Sequence, residues 1–163
     1  MLAKKLNISK SEHQLTLIGL ACSATDYRLL YFVGKVLGFS FSKLADLPLY
    51  GKTEKLGDFS FYHFYREDHR LNFYLFANNK EGQIALPAHR NLDYFLLIDS
   101  EISPNSLRDL LLKIRSIPIL QAAMQIPLSS IKDLDLLMED IELHLIALNK
   151  TQKEKLLLWE AIA

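Results

Sequence analysis

The sequence contains little of what announces a specific chemistry. It has one cysteine, Cys22, in 163 residues, which excludes an internal disulfide and with it a disulfide-stapled scaffold. An excess of one charge is missing too, because nineteen basic and nineteen acidic side chains cancel. A protein that neutralises many phosphates carries a basic surplus, so nucleic acid is a disfavoured partner. The six glycines form neither a Walker A loop nor a G-x-G-x-x-G turn, and no cofactor is implied. Five histidines are scattered without paired zinc-ligand spacing, so no metal is expected. No apolar run reaches the length of a membrane span, and "MLAKKLNISKSEHQL" has lysines but no apolar stretch of signal-peptide type. The expectation is a cytoplasmic protein with no signal peptide and no membrane span.

What is present is apolar. Half the residues are hydrophobic, enough for one substantial core, and the chain reads as a single domain over 1–163. Residues 1–13 are expected to be flexible or loosely packed. "QLTLIGLAC" is a short apolar run of buried-strand type. After it, Leu29, Leu30, Val33, Val36 and Leu37 recur at helical spacing, with Ser23 or Thr25 as N-cap, Asp26 in the first turn and Gly38 as the stop. The connector "FSFSKLADLPLYGKTEKLG" has room for one short helical or extended piece. Two strands, "DFSFYHFYR" and "LNFYLFANN", flank a polar turn at Glu67 to His69. A second connector leads to the strand "LDYFLLID". Ser103-Pro104 then opens a helix with the stripe Leu107, Leu110, Leu111 and Ile114. "IPILQAAMQI" reads as a strand, and 128–163 as a helical C-terminal segment. This order predicts an α+β fold, a mainly antiparallel sheet with helices packed on one face. It resembles a ferredoxin-like plan with an extra strand, and the helix between Leu92 and Ile126 would make a right-handed parallel crossover.

One short stretch carries a family resemblance. "LPAHRNLDY" is similar to the signature of the uncharacterised bacterial I-P-E-x-x-x-V-D-Y family, with Pro87, Asp93 and Tyr94 matching and Leu86 and Leu92 as mild replacements. "IGLACSATDYRLLY", "FSFYHFY", "NFYLFANN" and "LDYFLLID" resemble that family in the same order, roughly over residues 15 to 127. Ala88 stands where the signature has Glu, so any acid, base or ligand role of that Glu would be missing here. The resemblance implies a fold relative and no known activity.

Among the polar residues, two Asp-Tyr dipeptides stand out, Asp26-Tyr27 and Asp93-Tyr94. Asp93, Phe95 and Leu97 share one strand face, where a carboxylate needs a partner, and Arg28 in the first helical turn is the partner expected. The candidate polar cluster is Asp93, Arg28, Tyr94 and His89. It reads first as a structural ion pair and second as a perturbed acid in a site. An enzyme would need Cys22, His63, His89 and Asp93 around one pocket, with Cys22 paired to a histidine, although a lone cysteine is commonly a small buried hydrophobe.

The densest signal is aromatic: ten of seventeen aromatic residues fall between Phe59 and Phe95. With an odd-length turn, Phe59, Phe61, His63 and Tyr65 share a face with Leu71, Phe73 and Leu75. Tyr62, Phe64, Tyr74 and Phe76 then share the other; a two-residue turn would reverse this pairing, because parity sets register. Three readings compete for that second face. The terminal helices with Trp159 cover it, or it is a surface for a protein partner or a second copy, or it is an RNA-stacking platform, against which the neutral charge argues. The favoured function is an interaction or assembly module using the aromatic sheet face or the C-terminal helices. The expected interaction surface is Tyr62, Phe64, Tyr74, Phe76 and Trp159. The enzyme is the alternative and the RNA-binding module the less favoured one. The C-terminal stripe from Leu134 to Leu148 is expected to be buried, with Trp159 and Leu156 to Leu158 docked on the sheet or on a second subunit.

Overall fold

A computed structural model describes residues 15–38, 40–66 and 71–162. The stretch 1–13 and the turn at Glu67 to His69, together with His13, lie outside the described residues. The first apolar run forms β1 (Leu15–Ala21), and it is followed by α1 (Asp26–Leu37). Thr25 takes the N-cap position with extended backbone but no capping side-chain bond, and Gly38 ends the helix at φ 81°, its N–H donating to Gly34 O at 2.7 Å. That left-handed turn is open to glycine at no steric cost.

The connector after α1 is more regular than its composition suggests. It forms β2 (Ser42–Tyr50), which pairs with β3 (Lys55–Arg66). A register shift between Leu44 and Leu47 turns Leu44, Leu47 and Leu49 toward one face, although Leu44 and Leu47 are an odd number of residues apart. Next come β4 (Leu71–Ala77) and a small hairpin of β5 (Asn79–Lys80) and β6 (Gln83–Ile84), turned at Glu81 and Gly82 with φ of 53° and 84°. A 3-10 turn, Pro87–His89, precedes β7 (Tyr94–Asp99). Ser103 caps α2 (Pro104–Arg115) by accepting from Ser106 N–H at 3.2 Å, with proline at the first position. β8 (Ala122–Ile126) follows, and then α3 (Leu134–Ile162).

The main sheet has the order β2-β3-β4-β7-β1-β8, and each of its pairings is antiparallel. β7 and β8 are both antiparallel to β1 and flank it, so they run parallel to each other with β1 between them. The order β8-β1-β7-β4 with α1 and α2 is the ferredoxin-like arrangement of split β-α-β units. Two strands, β2 and β3, rather than one, extend it beyond β4.

The α+β class with an antiparallel sheet holds, but the helices occupy both faces. On one face Leu29 and Val33 of α1 and Ile114 of α2 pack with Ile18, Leu20, Leu75, Leu96 and Ile98. On the other, Leu134, Leu137, Met138 and Ile141 of α3 pack with Leu47, Leu49, Phe59, Phe61, Phe76 and Phe95. The cause lies in the strands themselves. Five of the six residues of β7 are buried, alternate ones facing opposite sides, and a sheet that is apolar on both sides needs cover on both.

Candidate functional site

The expected pairing of Asp93 with Arg28 does not form. Asp93 Oδ2 accepts the Cys22 backbone N–H at 2.7 Å, while Asp93 N–H donates to Leu20 O and Asp93 O accepts from Asn78 N–H, each at 2.8 Å. The carboxylate thus closes the end of the ladder between β1 and the chain entering β7. Arg28 lies exposed on α1. A guanidinium is not required where a backbone donor already meets the acid.

The ion-like cluster instead forms around Asp26. Tyr94 O–H donates to Asp26 Oδ1 at 2.7 Å and Tyr62 O–H to Asp26 Oδ2 at 3.2 Å, with Ala24 O also 3.0 Å from the Tyr94 hydroxyl. The acid of the first Asp-Tyr dipeptide therefore meets the tyrosine of the second, and Tyr27 faces solvent. Burial, followed by the charge and hydrogen bond of Asp26, pushes the Tyr62 hydroxyl up to about 12. Burial and then the Asp26 hydrogen bond push Tyr94 up further. A phenol held protonated between a carboxylate and a backbone oxygen fastens α1 to β3 and β7. This is a structural arrangement rather than an acid poised for proton transfer near neutrality.

Among the described residues, Cys22, His63 and His89 do not gather around one pocket. Cys22 is buried at 2 % exposure beside Asp93. His89, on the 3-10 turn, meets Ser130 Oγ at 3.1 Å and stands edge-on to Phe95. His63 lies toward the opposite end of the sheet, stacked on Tyr74 with ring centroids 4.8 Å apart and bonded to Asn72 Oδ1 at 3.0 Å. Tyr74 faces Leu97, four residues on from Asp93, a separation of about 13 Å along the strand. Among the described residues no group of three His, Cys, Asp or Glu side chains is placed to hold a metal ion.

The aromatic strands also differ from expectation. Arg66 pairs with Leu71 and His63 with Tyr74, which leaves an even number of residues between the strands and selects the reversed pairing of faces. Tyr62 and Phe64 therefore lie on the face of α1 and α2, and Tyr74 and Phe76 on the face of α3. Tyr62, Tyr74 and Phe76 are buried and Phe64 is half-buried. They do not form one exposed surface on which a base or a partner could stack. Burial, with the charge of Asp99 behind it, pushes the Tyr74 hydroxyl up to about 12, and burial likewise raises the carboxyl of Asp99.

The sequence reading missed Asn78, which is fully buried. Its Nδ2 donates to His89 O at 2.9 Å and Leu92 O at 2.8 Å, and its Oδ1 accepts Leu86 N–H at 2.8 Å. Its own N–H and C=O are bonded to Asp93 O and Ala85 N–H. One side chain therefore holds together the stretch that carries the Pro-His-Arg and Asp-Tyr pairs. The only signal in the sequence was an asparagine closing an apolar strand.

The remaining candidate is α3. Leu134, Leu137, Met138 and Ile141 are buried, as expected, and Leu145 and Leu148 are half-buried. Two side chains of α3 meet backbone groups of edge strand β2: Asp140 Oδ2 accepts Tyr50 N–H at 2.9 Å, and His144 Nε2 lies 2.8 Å from Ala45 O. The helix thus runs antiparallel to β2 and covers an edge that is otherwise open to pairing. It does not stop where β2 begins. From His144 to Ile162 the helix advances about 27 Å. From Ala45 back to Ser42 the strand covers only about 10 Å. Every residue from Asn149 to Ala161 is exposed, and Leu156, Leu157, Leu158 and Trp159 are 58–72 % exposed. Trp159 does not dock on its own sheet, because the single continuous helix carries it past the edge.

Among the described residues no helix is long and apolar enough to cross a membrane. No protein-family model matches this chain, and no curated protein is significantly similar to it.

Proposed function

We propose that this protein is a homotypic assembly module whose overhanging half of α3 pairs antiparallel with the α3 of a second copy. The observation that carries this reading is the exposure of Leu156, Leu157, Leu158 and Trp159 on a helix with no cover of its own. Contiguous exposed apolar surface of this kind marks an interaction site more often than it marks nothing. Charge argues for a second copy as the occupant. Apart from Asp140, which turns to β2, the sheet-anchored half of α3 carries Asp135, Glu139 and Glu142 and no lysine or arginine, whereas the overhang carries Lys150, Lys153 and Lys155 against Glu154 and Glu160. Antiparallel pairing places the lysines of one copy near the acids of the other and opposes the helix dipoles favourably. The register that brings Lys153 to Glu139 also sets Ile146, 58 % exposed, against Ile146 of the second copy.

A cytoplasmic location and kinship with the I-P-E-x-x-x-V-D-Y family belong to the same proposal. The kinship rests on the match of Pro87, Asp93 and Tyr94 to the signature, in a stretch that Asn78 ties together through Leu86, His89, Leu92 and Asp93. Sedimentation velocity from low to high micromolar protein tests the assembly. A concentration-dependent dimer is expected, and Leu157→Lys with Trp159→Lys should abolish it without lowering the melting temperature. A wild-type chain that stays monomeric throughout that range would sink the reading.

A further inference from the structure

At the end of the sheet away from the α3 overhang, where β2 closes and α3 begins, a cavity of about 310 Å³ opens between the two elements and the 3-10 turn. Leu49, Leu56, Leu86 and Leu137 form its walls, and Ala85 and Ala88 leave room where larger side chains would fill it. Leu49, Leu86 and Leu137 belong to the core, so the walls are held by the packing of the whole face rather than by a loose loop. The volume lies at the lower end of the range of roughly 300–1,000 Å³ typical of small-molecule sites.

The polar groups at this cavity are few and unequal. Asp133 is paired with Lys52 at 3.3 Å, which neutralises it, and Lys132 is exposed. Asp140 is different. Its Oδ2 accepts the Tyr50 N–H, it has no cationic partner among the described residues, and burial raises its carboxyl. A carboxylate beside apolar walls is stabilised most by a cation that brings its own apolar body and so replaces the water on both. An anionic ligand would place like charges together near Asp140 and its neighbour Glu139.

We propose that this cavity binds a small amphipathic cation, an aryl- or alkylamine, with its ammonium on Asp140 and its apolar body against Leu49, Leu56, Leu86 and Leu137. The site lies at the base of α3 and does not depend on the overhang or on self-association. Three probes of one shape and different charge test it: 2-phenylethylamine, 2-phenylethanol and 3-phenylpropanoate, titrated into the full chain and followed by amide chemical shifts. The amine should bind about tenfold more tightly than the alcohol, and the carboxylate should not bind. Asp140→Asn keeps an acceptor for Tyr50 N–H and should bring the amine down to the alcohol's affinity while leaving the alcohol unchanged. Ala88→Phe, at an exposed position on the rim, should block both ligands with the fold intact. Equal binding of the three probes, no shifts with the amine, or an amine affinity untouched by either substitution would overturn the proposal.

Discussion

Replacing Asp26 by Ala should destabilise this protein more than an exposed first-turn acid would account for. A carboxylate in the first helical turn contributes only about 0.3–1 kcal/mol through the helix dipole. Here the same group accepts hydrogen bonds from Tyr94 at 2.7 Å and Tyr62 at 3.2 Å, both tyrosines being buried. Hydrogen bonds to a charged group contribute about 1.5–3 kcal/mol each, and a buried hydroxyl left alone costs a further penalty. Tyr94 keeps Ala24 O as a second acceptor at 3.0 Å, so its loss is partial. Tyr62 has no such substitute among the described residues. The expected cost of Asp26→Ala is therefore about 2–4 kcal/mol, read from urea denaturation at neutral pH. A double-mutant cycle with Tyr94→Phe should show a coupling of at least ~1 kcal/mol, because the two residues share one bond. Tyrosinate absorbance adds an independent readout, since removing the carboxylate should move the titrations of Tyr62 and Tyr94 down toward the ordinary value while burial keeps them above it. A cost of Asp26→Ala within ~0.5 kcal/mol of zero, together with an unchanged tyrosine titration, would refute the reasoning.

Other outcomes follow from the same structure. Asn78→Ala should cost about 3 kcal/mol or more in denaturant melts, because it strands Leu86 N–H and Leu92 O where water does not reach. Gly19→Ala should cost about 1–3 kcal/mol by overpacking, since the new Cβ would stand 2.4 Å from Leu92 Cδ1 and 3.2 Å from Ile126 Cδ1; an unchanged urea midpoint would show that Leu92 simply moves aside. Tyr62, Tyr74 and Tyr94 are all held protonated longer in the folded state than in the unfolded chain. Below the unfolded value near 10 that stabilisation is complete, and above it the unfolded chain loses protons first, so stability should fall by up to about 1.4 kcal/mol per pH unit for each tyrosine. Urea midpoints measured across the alkaline range should therefore stay flat up to about pH 10 and then decline, and no decline by pH 11 would contradict the assigned burial of these phenols.

How much of this could be read from residues alone depended on whether a signal was local. Ser103-Pro104 and Gly38 act on backbone within a few positions, and the ends of α2 and α1 fall where those residues predict. The strand β2 was hidden because Pro48 and the register shift near Leu47 break its alternation, and only pairing with β3 makes it regular. The faces of the aromatic hairpin turned on a parity that the sequence left open and the register Arg66↔Leu71 decides. The helices divide between two faces because α3 follows the apolar side that the ferredoxin-like pair leaves bare, and no local pattern in α3 says which side that is. Asp26 with Tyr94, and Asn78 with Leu86, join residues far apart in the chain by hydrogen bonds that have no periodic trace. The partner of Asp93 was likewise tertiary, since the pairing of β1 with the chain entering β7 brings the Cys22 backbone N–H to it.

The bonding of Asn78 also bears on where this chain can change length. Surface connections are the ordinary place for insertions and deletions, because their backbone is solvated and makes few fixed contacts. The stretch from Ala85 to Asp93 is, apart from its 3-10 turn, such a connection in form. Its backbone is nevertheless tied at Ala85, Leu86, His89, Leu92 and Asp93 to one buried asparagine, so the spacing between those five positions is fixed as rigidly as a strand register. One added residue between Leu86 and Leu92 would separate a donor from its acceptor in a place without water. The small hairpin turn at Glu81 and Gly82 has no such tether and is the part of this region where homologous chains should differ in length.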